Sequence, residues 1–278
     1  MKGLKKILGL TLAAMMTMSL VGCSSGGNKG GDSEAADKLQ QVKDAGKLIV
    51  GTSADYAPYE FKKTVDGEEK IVGFDDFMVQ EIASDLGVEV QYEDMDFDSL
   101  IAALQSGKVD IVLSGMTPNE ERKQAVDFSE LYYTDSNVCI VAKGKEDLVK
   151  SADDLKDLKV GVQRGTTQAD YVVNNLGIDS AVQLTKIPDL MLELQNGKID
   201  VIVTGKSVAM INVQKYENVA MGKTTVGEEV AETSAAAFKK SDDNKSFIES
   251  VNSTIKRLQD GNKVDEYMLK ATKLAEEE

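Results

Sequence analysis

The sequence predicts an α/β protein of two similar lobes, and two stretches of chain carry that reading. Residues 101–115 read IAALQSGKVDIVLSG and residues 191–205 read MLELQNGKIDVIVTG. Each is a helix, a Gly-Lys pair, an aspartate, an apolar strand and a Ser/Thr-Gly ending. Short apolar runs bounded by turn signals suit buried parallel strands. The shared Leu-Gln-x-Gly-Lys-x-Asp marks the second stretch as a copy of the first. One βα unit built twice implies a mostly parallel sheet flanked by helices in each lobe.

At the N-terminus, Lys2, Lys5 and Lys6 precede an apolar run from Ile7 to Val21, and Leu20-Val21-Gly22-Cys23 has the form of a lipobox. The run is too short for a spanning helix, so residues 1–22 read as a lipoprotein signal peptide. Cys23 would then carry the lipid and, with two or more acyl chains, anchor the protein to the outer side of the cell membrane. Ser24 to Ala36 is rich in Gly and Ser, and residues 23–46 are expected to form the lipidated cysteine and a flexible tether. Residues 47–137 and 231–278 are assigned to lobe 1, and residues 138–230 to lobe 2.

In lobe 1, Gly51 to Phe61 (GTSADYAPYEF) is a strand end opening into a loop with two tyrosines and a proline. Such a loop can lay an aromatic face on a ligand, or its tyrosines can cover the core. Ser99 to Gln105 reads as a helix closed by Gly107, and Val109 to Leu113 as a buried strand. Ser114 and Gly115 fall at that strand's C-terminal end, where open α/β sheets bind their ligands. Thr117, Pro118 and Glu120 read as N-cap, N1 proline and capping-box partner of the next helix. Its N-terminus would offer unpaired N–H groups, with Arg122 one turn inside to fork onto an anion. The alternative is that Arg122 only pairs with a neighbour such as Glu121 or Asp127.

In lobe 2, Lys159 to Val162 is a strand that runs through Gln163-Arg164-Gly165-Thr166-Thr167-Gln168 into helical sequence ending at Leu176. The Lys and Ser/Thr of a phosphate loop are not in register, so a carboxylate suits this turn better than a nucleotide. Two C-terminal helices, Asp243 to Gln259 and Val264 to Glu277, are expected to close lobe 1.

Composition narrows the function. The net charge is −15, and more negative once Lys2, Lys5 and Lys6 are removed, which excludes nucleic acid as a partner. There is no histidine and no cysteine cluster, so no metal site or cofactor is expected. Cys139, within Val138 to Ala142, reads as a buried thiol without a disulfide partner.

The motifs GTSADYAPYEF, GFDDFMVQEIA at 73–83, the stretch from Phe97 to Tyr133 and VGVQRGTTQ at 160–168 together resemble the family 3 extracellular solute-binding proteins of ABC importers for polar amino acids. The resemblance implies a two-lobe periplasmic-binding-protein-like fold of type II, joined by two hinge strands and closing on one ligand. By matching positions, Tyr56 and Phe97 would sandwich the ligand side chain, with Ser53 in the same loop. Arg122 would hold the α-carboxylate with Thr117 and the backbone at Gly115 and Thr167. Ser114, Met116, Gln163, Thr166 and Thr204 would complete the wall.

The chain departs from the family pattern at Gly205, where an Asp or Glu usually meets the ligand's α-ammonium. On the sequence, both strand-end lips are uncharged, and Asp55 is the nearest candidate for the amine. The expected protein is a monomer that hands its ligand to an ABC permease and its ATPase. Two other classes fit the scaffold: a dehydratase-type enzyme, against which no carboxylate falls in the cleft as a general acid, and a ligand sensor without transport.

Overall fold

The computed structural model describes residues 37–227 and 231–277. The signal peptide, Cys23 and the tether up to residue 36 lie outside the described residues. Two five-stranded sheets organise the described chain. Strands and helices are numbered in chain order.

The first sheet has β1 (Lys47–Thr52) at its heart, parallel to β5 (Glu89–Asp94) on one side and to β6 (Ile111–Val112) on the other. The chain returns late to this sheet as β15 (Ala237–Lys239), antiparallel to β6 and to β7 (Val126–Phe128). The second sheet repeats the plan. Its β10 (Val160–Gln163) runs parallel to β11 (Val182–Leu184) and β12 (Val201–Gly205), while β9 (Asn137–Ala142) lies antiparallel between β12 and β13 (Val219–Thr225). Two strands carry the chain between the sheets, β8 (Tyr133–Asp135) outward and β14 (Glu232–Ser234) back. They pair antiparallel as a two-strand hinge, Glu232 opposite Asp135.

The repeated unit folds the same way in both places. In the first copy α3 (Leu100–Ser106) ends on left-handed Gly107 and leads into β6. In the second, α6 (Ile187–Gln195) ends at Asn196 and leads into β12. The aspartate of the motif does one job twice. Asp110 Oδ2 accepts from Ile49 N at 2.9 Å, while Asp110 N donates to Ile49 O. Asp200 Oδ2 accepts from Lys159 N at 3.0 Å, while Asp200 N donates to Lys159 O. Each pair ties the residue just before the motif's strand to the neighbouring parallel strand, which fixes their register.

Two elements differ from the sequence reading. The expected tether already folds at α1 (Lys38–Ala45), which the Asp37 side chain caps and left-handed Gly46 ends. Its Val42 is buried and Lys38 pairs with Asp110 at 2.5 Å, so the folded body begins before Lys47. The strand expected over Val109 to Leu113 is hydrogen-bonded as strand only at Ile111 and Val112, because Asp110 is spent on its register contact. The C-terminal helices α8 (Lys245–Asp260) and α9 (Lys263–Glu276) cover the first sheet with α2 (Phe74–Leu86). They also reach the second half: Ala275 and Leu274 of α9 pack with Ile211 of α7 (Lys206–Lys215). The buried Cys139 thiol is pushed up to about 12 by its surroundings.

Candidate functional site

Between the C-terminal ends of the two sheets lies a narrow cleft with about 310 Å³ of space between its walls, part of it open to solvent. From the first sheet it is lined by Ser53, Tyr56, Phe97, Ser114, Gly115, Thr117 and Arg122. The second sheet's turn contributes Gln163, Thr166 and Thr167. These ten residues are among those expected from the sequence. Three more line the cavity that the sequence reading did not name: Glu60, Gln168 and Glu232.

Arg122 is the cation of the site, and it is buried, 7% exposed. Its Nη1 donates to Thr117 O at 2.6 Å, and its Nη2 reaches across to Gly165 O at 2.8 Å. The guanidinium carbon sits 5.3 Å from the centre of the Phe97 ring. No carboxylate lies within ion-pair distance of it among the described residues, so neither Glu121 nor Asp127 partners it. Burial pushes its pKa down to about 10, against the opposing pull of the more distant carboxylates of Asp170 and Glu121. Arg122 thus retains unused donor capacity while largely buried, which suits a bidentate carboxylate.

The helix that carries Arg122 starts later than the sequence suggested. Its N-cap is Asn119, whose Oδ1 accepts from Arg122 N at 2.7 Å, and α4 runs only over Glu120–Ala125. Asparagine is the stronger cap, and Thr117 is engaged elsewhere: its Oγ1 accepts from Thr233 N at 3.2 Å. Asn119 caps Arg122 N, and Glu120 and Glu121 stand in the first turn, where their charge opposes that of the helix end. The positive charge comes from the Arg122 side chain alone. Gly115 N is likewise occupied, donating to Asp75 Oδ2 at 2.7 Å, so it is not available for a carboxylate.

Two buried acids face the same cavity. Glu60 is 1% exposed; its Oε1 accepts from Ser114 Oγ at 2.5 Å, and its carboxyl shares a hydrogen bond with the carboxyl of Asp75. Burial, then the nearby Asp75, hold its pKa well above the usual carboxylate range. Asp75, itself raised to about 6 by burial, accepts from Tyr132 Oη at 2.9 Å. Glu232 is 2% exposed and comes from the hinge strand. Tyr56 Oη donates to its Oε1 at 3.0 Å, and its Oε2 is buried without a partner. Burial and the facing Asp135 push Glu232 up to about 8.

The remaining expected residues lie otherwise. Met116 is 1% exposed and packs with Leu100, Leu104 and Val126 in the core behind the site, so it does not line the cavity. Thr204 supports the wall from behind, its Oγ1 3.4 Å from Tyr56 Oη. Asp55 is outside the lining; its Oδ1 is 3.3 Å from Ser53 Oγ and 3.5 Å from Gln163 Nε2. The lip at Gly205 is not uncharged as the sequence suggested. A Cβ built there would lie 1.6 Å from Glu232 Oε2, so the hinge acid occupies the space that a side chain would take. Glu60 stands inside the GTSADYAPYEF motif, in a strand where charged residues alternate, and the sequence gives no sign that it faces inward. Glu232 has no local signal at all, because only the return of β14 beside β8 brings it to the cleft.

Across the cleft the two halves touch closely. A Cβ on Gly165, whose φ is +75°, would fall 2.8 Å from Asp98 Cβ, so only glycine allows this approach.

Residues 48–168 match the family model for bacterial extracellular solute-binding proteins, family 3. The chain is 42% identical over 209 residues to the arginine-binding extracellular protein ArtP of Bacillus subtilis (strain 168), covering 74% of this chain and 75% of that one. It is 33% identical over 223 residues to the L-cystine-binding protein TcyJ of Escherichia coli (strain K12), covering 80% of each. Among solved structures, the amino acid ABC transporter substrate-binding protein AbpA of Streptococcus pneumoniae, bound to L-arginine, superposes with a TM-score of 0.80. It shares 34% identity and covers 86% of this chain and all of that one, 100%. With two matched sheets, a two-strand hinge and a cleft between them, the chain belongs to the bacterial extracellular solute-binding proteins of family 3.

Proposed function

We infer that the cleft captures one α-amino acid with a cationic side chain, in the manner of arginine, and releases it to the permease and ATPase of an ABC importer. Capture of an amino acid or a close analogue by closure of two lobes follows from the family; its relatives are transport proteins, and the chain is a binding protein and not an enzyme. The charge class rests on one observation. The cavity holds a buried arginine with no carboxylate within ion-pair distance beside two buried acids, Glu60 and Glu232, and Glu232 keeps one oxygen without a partner. A ligand that satisfies all three brings one carboxylate and two cationic groups. Leaving any of them unpaired in a closed site is costly. Arginine, which ArtP is named for binding and which the pneumococcal structure holds, belongs to this class.

Calorimetry against L-arginine, L-lysine, L-glutamine and L-glutamate tests it. Arginine or lysine is expected to bind tightest and glutamate weakest. Tighter binding of glutamate than of either base would overturn the charge reading. In the same reading, Tyr56 and Phe97 flank the ligand, and Ser53, Ser114, Thr117, Gln163, Thr166 and Thr167 line it. Residues 47–137 with 231–278 form one closing lobe, and residues 138–230 the other.

The protein is further proposed to act as a monomer held at the outer membrane surface by lipid on Cys23. The lipobox supports the anchor, and among the described residues no helix is long and apolar enough to cross a membrane. Cys23→Ala should move the protein from the membrane fraction to the medium with ligand affinity unchanged. Equal retention of the variant would remove the anchor from this account.

A further inference from the structure

The second sheet's strand β12 ends at Gly205 without a side chain, and the carboxyl of Glu232 lies over that end. We propose that the ammonium anchor is on the hinge: Glu232 on β14 takes the α-ammonium, and Gly205 is the vacancy that admits it. This rests on the amino-acid reading given above and assigns its two acids, Glu232 to the ammonium and Glu60 to the side chain.

The vacancy is specific. Gly205 has φ −63° and ψ 146°, extended backbone that any residue adopts, so its conformation does not require glycine. Space does. A Cβ at Gly205 would meet Glu232 Oε2 at 1.6 Å, Cδ at 2.6 Å and Oε1 at 3.0 Å. The carboxylate of Glu232 therefore lies over the strand end where an acidic side chain at 205 would begin. An anchor at 205 and one at 232 exclude each other.

Glu232 is also set up to receive a cation. It is 2% exposed, Tyr56 Oη holds one oxygen at 3.0 Å, and the other is buried and unpaired. Its place relative to the carboxylate anchor is fixed through one residue. Arg122 Nη1 donates to Thr117 O, and Thr233 N, next in the chain after Glu232, donates to Thr117 Oγ1. The two charges that would hold the ligand's main-chain end thus hang on Thr117. The consequence is mechanical: β8 and β14 are the two strands that pass between the sheets. A ligand gripping Glu232 grips the hinge itself instead of the far lip.

The test uses calorimetry with L-arginine and with its des-amino analogue, 5-guanidinopentanoate. Glu232→Gln should weaken arginine by roughly thirtyfold or more, as for truncation of a buried charge pair, and change the analogue by less than about threefold. Gly205→Ala should discriminate the same way, because its Cβ displaces the carboxylate. Gly205→Asp alone should weaken arginine, whereas Gly205→Asp combined with Glu232→Ser should recover at least about tenfold of the Glu232→Ser loss. If Glu232→Gln weakens both compounds equally, or if Glu60→Gln is the variant that separates them, the assignment is overturned. Should wild type bind another α-amino acid but not arginine, the side-chain reading fails and the same variants are read with that amino acid and its des-amino analogue. Binding of no α-amino acid by wild type would bring down both.

Discussion

The two strand-end lips are made from the same sequence unit and end in opposite chemistry. After β6 the chain passes Ser114 and Gly115 to a buried arginine. After β12 it stops at Thr204 and Gly205, and an acid arrives from another part of the chain. The scaffolds are alike down to the aspartates: Asp110 and Asp200 make the same pair of bonds to the neighbouring strand. Repetition has therefore set where the strands end, and the residues outside the repeat have set what charge stands there. A second copy of a βα unit predicts the position of a lip and not its ligand.

The largest effect should come from the first lip. Arg122 sits 7% exposed without a carboxylate partner, so a bound carboxylate would be its counter-charge. Arg122→Ala should cost about 2–5 kcal/mol of binding, roughly thirtyfold or more. Titration calorimetry reads this directly, and a variant that binds as tightly as wild type would mean that the first lip does not hold the carboxylate.

The lips should also separate by pH. Arg122, lowered only to about 10, stays charged through the physiological range, whereas Glu232 at about 8 titrates within it. A carboxyl whose folded pKa exceeds its unfolded value of about 4.5 stabilises the fold fully below 4.5 and loses that stability as pH rises through 8. Asp55 and Asp75, each raised to about 6 by burial, act in the same direction over the lower part of that window. The melting temperature of the ligand-free protein should therefore fall between pH 5 and 8. Arginine affinity should rise over the upper part of this range, because an ammonium favours ionised Glu232. Glu232→Gln should flatten the affinity trend above pH 6 and reduce the stability trend, of which Glu60, also raised by burial, carries the rest. Parallel trends in stability and affinity would show that the second lip is not where the titrating acid acts.

Much of this was legible in the sequence, and the boundary has a physical shape. The strand ends, the aromatic loop and Arg122 are encoded locally, by turn residues and apolar runs, and they meet as expected at one cavity. The N-cap was misplaced because Thr117 and Asn119 are both good caps. The competition was decided by Thr233 of the hinge, 116 residues away along the chain. Glu232 was invisible for the same reason: its inward position follows from pairing with β8, a contact between distant segments. Met116 was expected in the wall by its place in the motif, yet its side chain turns to the core beside Leu100 and Leu104. Local pattern fixes backbone, and long-range packing decides which side chains face the ligand.

The scaffold half of the comparison can be sharpened by removing the paired aspartates. Asp110→Ala frees a partly buried N–H of Ile49 and breaks the contact with Lys38, whose partner side chain is 12% exposed. Asp200→Ala frees only the exposed N–H of Lys159. Denaturant unfolding should give a loss of about 1–3 kcal/mol for the first and about 1 kcal/mol or less for the second. Equal losses would mean that α1, tied on through Lys38, adds nothing to the first copy.

The smallest effect should come from the cleft's other arginine. Arg164 is the neighbour of Gly165, the residue that Arg122 reaches across the cleft, so both arginines span the same closure. They differ in surroundings. The Arg164 side chain is 50% exposed, lies 3.8 Å from Asp98 at the edge of ion-pair range, and donates to Gln183 O at a long 3.3 Å. Such an exposed pair is worth at most about 1 kcal/mol, and screening by salt lowers it further. Arg164→Ala should therefore weaken binding by less than about fivefold at low salt, and by less still at 0.5 M salt. A loss equal to that of Arg122→Ala would place the closing energy in a surface charge pair. The buried guanidinium would then no longer distinguish the first lip from the second.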